Sequence, residues 1–116
     1  MIEVMRGNII IADLNGATGS EQGKMRPAIV IQNDIGNRHS PTTIIVPLTS
    51  KNKKRGLKTH VLIEKTEENG LSEDSVALCE QVRTIDKKRI KTKIGKISDI
   101  AVMQNIYAGY IANFVG

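Results

Sequence analysis

The sequence predicts a mainly β, α+β domain, a small antiparallel barrel carrying one long C-terminal helix. Two observations predict it. Five runs of four to eight residues, rich in Ile, Val and Thr, are each bounded by Gly, Pro, Asn or Asp. After residue 98 the apolar period changes from two to a mixture of three and four. The 116 residues suit one domain spanning 1–116.

The first strand is Gly7 to Leu14, stopped by Asn15-Gly16. Residues 17–25 form a polar, glycine-containing loop. Pro27 opens the second strand, Ala28 to Ile31, where its missing N–H costs little. Asn33 to Asn37 is a turn cluster. The third strand is Thr42 to Leu48, followed by a basic loop from Lys51 to Thr59. His60 to Glu64 alternates and forms the fourth strand, with a turn at Glu67 to Gly70. The fifth is Ser75 to Val82; its alternation sets Val76, Leu78 and Glu80 against Ala77, Cys79 and Gln81. Ile100, Met103, Tyr107, Tyr110 and Phe114 make the stripe of an amphipathic helix, capped by Ser98 or Asp99.

Composition narrows the function. Hydrophobic residues make up 40% and charged residues 25%, a globular balance. No apolar run approaches the roughly 20 residues that span a bilayer. The first residues lack a signal-peptide layout, and one cysteine supports no internal disulfide, so a cytoplasmic protein without membrane partners is expected. His39 and His60 stand apart from any ligand-spaced partner, so no metal site is expected. Phosphate-loop, dinucleotide and nucleophile-elbow signatures are absent, and no cofactor is expected. Cys79, inside an apolar strand, is expected to be an inert buried thiol.

The net charge is +5, and eleven of the 17 basic residues fall in two acid-free segments, Lys51–Lys58 and Lys87–Lys96. Such clusters suit a polyanion or an acidic protein, or else are solvated loops. With no Trp, one Phe and two Tyr, base-stacking platforms are scarce.

Candidate chemistry gathers at strand ends and in one loop: Gly19-Ser20-Glu21-Gln22-Gly23, Arg26-Pro27, Thr49-Ser50 and Gln81-x-Arg83-Thr84-Ile85-Asp86. Arg26 precedes a proline and is biased to extended geometry. Its guanidinium matches a phosphate, and a Thr hydroxyl can donate to a phosphoryl oxygen. Together they can stabilise charge developing in phosphodiester cleavage. The structural alternative pairs Arg26 with Glu21 or Asp34 and leaves Thr49 at a strand end.

These segments resemble the MazF/PemK family of toxin endoribonucleases. The matching series runs in order over residues 6–90, and its two most specific elements are GSEQG…RP…QND and EQVRTID. It is most similar to the MazF (EndoA) branch of Gram-positive bacteria. The resemblance implies a dimeric SH3-like barrel of the PemK/CcdB type. It implies metal-independent, sequence-specific cleavage of single-stranded RNA, chiefly mRNA, to 2′,3′-cyclic phosphate and 5′-hydroxyl ends. Arg26 and Thr49 would be catalytic. Ser20, Glu21 and Gln22 would lie over the RNA path, and Ser50, Lys54, His60, Gln81 and Arg83 would also bind RNA. An acidic, MazE-like antitoxin would lay a disordered tail across the groove. The basic loop would cover the site. The PemK/Kid branch has a His where this chain has Ser20, and an Arg and an Asp where it has Leu78 and Glu80, so a His/Arg/Asp mechanism does not transfer. Glu21 is the first candidate for the base. Two other readings are a non-catalytic binding module and a gyrase-directed toxin of the same fold.

Overall fold

The computed structural model describes residues 2–16, 24–50 and 56–115. Ser20, Glu21, Gln22 and Lys54 lie outside them. Seven strands form an antiparallel sheet: β1 (Asn8–Asp13), β2 (Met25–Val30), β3 (Thr42–Ser50), β4 (His60–Ile63), β5 (Ser75–Leu78), β6 (Arg83–Asp86) and β7 (Ile90–Lys96). A short helix α1 (Asp34–His39) joins β2 to β3, and α2 (Ile100–Ile111) closes the chain. The order across the sheet is β4-β5-β3-β2-β1-β7, with β6 also on β3. No helix among the described residues is long and apolar enough to cross a membrane.

The stretch expected as one strand from 75 to 82 is interrupted. β5 pairs the end of β3, with Leu48 opposite Ala77. β6 pairs its beginning, with Ile45 opposite Arg83. Both lie antiparallel to β3, but the register differs by three residues. A 3-10 turn at Cys79–Gln81 takes up those residues. Glu80 therefore does not continue the alternation of Val76 and Leu78, and is exposed. Residues 90–96, read as a basic cluster, form the edge strand β7. It is hard to see in sequence because two register shifts break its ladder with β1 and Ile90 is its one buried residue.

The turn cluster at 33–37 is a helix start. Asn33 caps α1 by accepting from the Gly36 N–H at 2.8 Å. Asn37 is buried, and its amide is satisfied on both sides. Its oxygen accepts from Gln32 Nε2 at 3.0 Å and Thr43 Oγ1 at 2.7 Å, while its nitrogen donates to the Gln32 carbonyl. The QND…N series thus positions backbone rather than chemistry here.

The sheet carries apolar side chains on both faces, because alternate residues point opposite ways. Ile9, Ile29, Val46, Leu48 and Ala77 pack with Met103 and Ile106 of α2. Ile10, Ala28, Val30, Ile45, Ile85 and Ile90 make a second cluster. The buried residues of α2 are Met103, Ile106 and Gly109. Of the expected stripe, Ile100, Tyr110 and Phe114 are exposed instead, at 72%, 38% and 69%. A Cβ on Gly109 would come within 2.9 Å of Cys79 Sγ, so a small residue sets how closely α2 seats. Asp99 is the cap, accepting from the Ala101 N–H at 2.9 Å.

The two edges of the sheet meet. The turn after β4 leans on β7, where the Lys96 N–H donates to the Glu68 carbonyl at 3.1 Å. Glu68 also takes the Ser98 hydroxyl at 2.8 Å. Asn69 braces the turn, accepting from the Thr66 and Leu71 N–H groups at 3.1 and 3.0 Å.

Candidate active site

Arg26 and Thr49 reach the same place by register. Ala28 on β2 faces Pro47 on β3. That pair ends their ladder, and Arg26 and Thr49 each lie two residues past it, on the side where the two strands part. Both line a cleft of about 470 Å³ with Pro27, Leu48 and Ser50. Pro27 suits this strand end, since it has no N–H to leave unpaired. Thr49 is 5% exposed and held from its other side by Val76 on β5. Arg26 is half-buried and lines the cleft. Asp34, the carboxylate considered as its partner, sits beyond the opposite end of β2. It accepts from the Arg6 N–H at 2.7 Å, and that bond, with Asn37, holds its carboxyl below the usual range.

The far wall comes from the segment that leads into β5 and from the first residue of that strand. Leu71, Ser72, Glu73 and Ser75 line it. Ser75 faces Ser50 across the ladder, so two hydroxyl residues stand side by side. Glu73 is the carboxylate among the described lining residues. The only local signal was a polar run ahead of a strand, and that signal reads equally well as a turn.

The remaining expected contacts do not line this cleft. Arg83 faces Ile45, four residues along β3 from Thr49, or roughly 13 Å at strand rise. Gln81 sits in the 3-10 turn. His60 lies two strands over, its ring 8% exposed and paired with Glu80 at 3.0 Å. Thr59 Oγ1 donates to the same carboxylate at 3.0 Å. Partial burial pushes the Glu80 carboxyl up, but the hydrogen bonds from His60, its own backbone and Thr59 outweigh this and hold it below its ordinary value. A carboxyl with a lowered folded value contributes stability above its unfolded pKa and loses it as pH falls through the folded one. Wild-type stability should therefore fall below about pH 4.3 more steeply than that of Glu80→Gln, in thermal melts taken from pH 6 to pH 3.

Cys79 is buried, and burial followed by the Glu80 charge pushes its thiol up to about 11. It stays a neutral packing group against α2. Among the described residues no group of three or more His, Cys, Asp or Glu side chains could hold a metal ion.

Comparison with known proteins decides the family. Residues 5–109 match the PemK-like, MazF-like toxins of type II toxin–antitoxin systems. The chain belongs to this family. Its fold is that of MazF from Deinococcus radiodurans, at TM-score 0.81 and 20% identity over 98% of both chains. The Mycobacterium tuberculosis toxin MazF-mt6 superimposes at TM-score 0.75, with 24% identity over 92% of this chain and 95% of that one. A mycobacterial endoribonuclease in complex with its cognate antitoxin gives TM-score 0.75 and 20% identity, covering 96% of this chain and 94% of that one. This MazF-like toxin keeps the family's antiparallel sheet and C-terminal helix, with Arg26 and Thr49 inside the matched span.

Proposed function

We propose that this toxin is a metal-independent endoribonuclease. It cuts single-stranded RNA, chiefly mRNA, at a short sequence and so stops translation and growth. The observation that carries this reading is the convergence of Arg26 and Thr49 in one cleft. A ribose 2′-oxygen attacks the adjacent phosphorus, its proton passes to a base, and the P–O5′ bond breaks. The departing oxygen takes up a proton, leaving a 2′,3′-cyclic phosphate and a 5′-hydroxyl. Arg26 stabilises the charge on the phosphoryl oxygens, a role suited to a group that stays protonated. Thr49 orients the phosphate through its hydroxyl. Glu21, in the loop over the RNA path, is assigned the 2′-proton.

Ser20, Gln22, Ser50 and Lys54 hold the strand near the scissile bond in this reading. His60, Gln81 and Arg83 contact bases further along, which agrees with their lying off the cleft itself. The active form is a cytoplasmic homodimer of single 1–116 domains. Support comes from the end of α2, where Ile111, Phe114 and Val115 are 55%, 69% and 74% exposed. Such an apolar end on a small domain suits a partner copy. An acidic antitoxin tail covers the cleft.

Incubation with mixed-sequence single-stranded RNA in excess EDTA tests the reading. Cleavage at one short motif with cyclic-phosphate ends is expected. Intact RNA after trials over many sequences, with a folded protein, would reject it.

A further inference from the structure

We propose that the outer edge of β7 is a second stretch of RNA-binding surface, which carries the strand's phosphate backbone away from the cleft. This rests on the ribonuclease reading above. Lys88, Lys91 and Lys93 are exposed, and residues 87–96 contain no acid. None of the three ammonium groups has a carboxylate partner among the described residues. Their neighbours differ. Arg89 donates to the Asp13 and Asn15 carbonyls at 3.3 and 3.0 Å, and Lys87 donates to the Asn37 carbonyl. Two of the five cations from 87 to 93 are thus tied to backbone, and three face solvent.

The placement leads from the cleft. Across the ladders Pro27 faces Ile11, and Ile11 faces Thr92. Arg26 similarly faces Ala12, which faces Ile90. β7 therefore lies two strand spacings from the cleft wall, about 10 Å. Lys91 and Lys93 flank the exposed Thr92 at the end of that row. The 87–89 turn is pinned beside β1 by Arg89, which fixes Lys88 near the same end. β7 pairs with no strand but β1 among the described residues, and the turn at Glu68–Gly70 covers its outer side at residues 94–96, past Lys91 and Lys93. Lysines also guard edge strands against pairing with other chains. That role needs charge but no alignment with a cleft, and it makes a different prediction.

The test compares wild type with the triple variant K88Q/K91Q/K93Q, which keeps side-chain length and removes charge. The probes are two single-stranded RNAs, the cleaved motif alone and the motif with uridine flanks on both sides. Each has a 2′-deoxy scissile nucleotide, so it binds but cannot react. Each lost phosphate contact lowers the single-strand salt slope by about 0.7. Between 50 and 200 mM salt, wild type should lose roughly 20-fold more affinity for the flanked RNA than the variant does. Affinity for the bare motif should be equal in both. Equal slopes on the flanked RNA overturn the proposal, and faster aggregation of the variant with equal slopes assigns the lysines to edge protection. Failure of wild type to bind either RNA instead rejects the ribonuclease reading.

Discussion

Replacing Arg26 by alanine should lower RNA cleavage by about 10²–10³-fold and leave the fold intact. The size follows from the task. A positioned charge acting on developing negative charge in a water-poor site is worth roughly 3–4 kcal/mol, as for a single oxyanion donor. The fold should survive because Arg26 is half-buried at a strand end and belongs to neither apolar cluster. Its loss should cost about 1 kcal/mol or less. Arg26→Lys should recover part of the rate, since it restores charge but not the two-pronged donor geometry. Thr49→Val is a useful companion, as it keeps the buried volume and removes the hydroxyl. Single-turnover rates on a motif-containing RNA, with circular dichroism on the same samples, make the measurement. Undiminished cleavage by a folded Arg26→Ala protein would remove Arg26 from the mechanism.

The second large effect is on stability. Gly95→Ala should destabilise the protein by about 3 kcal/mol or more. A Cβ at Gly95 would lie 2.4 Å from both the Glu68 carbonyl oxygen and the Asn69 carbonyl carbon. Those atoms are backbone, so no rotamer change relieves the contact. The turn must lift off β7, breaking the Lys96–Glu68 bond that joins the two edges. Gly70 opposes it from the turn side with φ +70, and a Cβ there would meet the Ile94 carbonyl oxygen at 2.1 Å. Gly70→Ala should therefore be at least as damaging, adding backbone strain to the clash. For a domain of this size, 3 kcal/mol lowers the melting midpoint by about 12 °C. An unchanged midpoint would mean that the turn does not pack on β7 in solution.

Much of the fold was legible because short-range physics wrote it plainly. β1, β2, β3 and β4 alternate or run apolar between Gly, Pro and Asn stops, and their bounds move by two residues at most. The exception is β2, which starts at Met25, ahead of the proline. The helix after residue 99 was legible from its period, but its buried side was not. Met103 and Tyr107 of the expected stripe do pack on the core, but the buried side is completed by Ile106 and by Gly109 against Cys79 and Val61. β7 was illegible because six of its seven residues are at least partly exposed, so the pattern follows charge rather than burial.

The candidate chemistry can be read from residue type and position along the chain. Arg26 before a proline and Thr49 at the end of a β-branched run stand out as residue types placed at strand ends. Tertiary structure alone decided that they share a cleft, since register is a long-range property and the two lie on different strands. It also supplied Ser72, Glu73 and Ser75 as the far wall, which local composition cannot distinguish from any polar turn. It left His60 and Arg83 off that cleft, His60 because β4 lies beyond β5 and Arg83 because β6 pairs the other end of β3. Residue type is read one position at a time, whereas proximity depends on how every strand pairs, and pairing is settled only when both apolar faces are buried together.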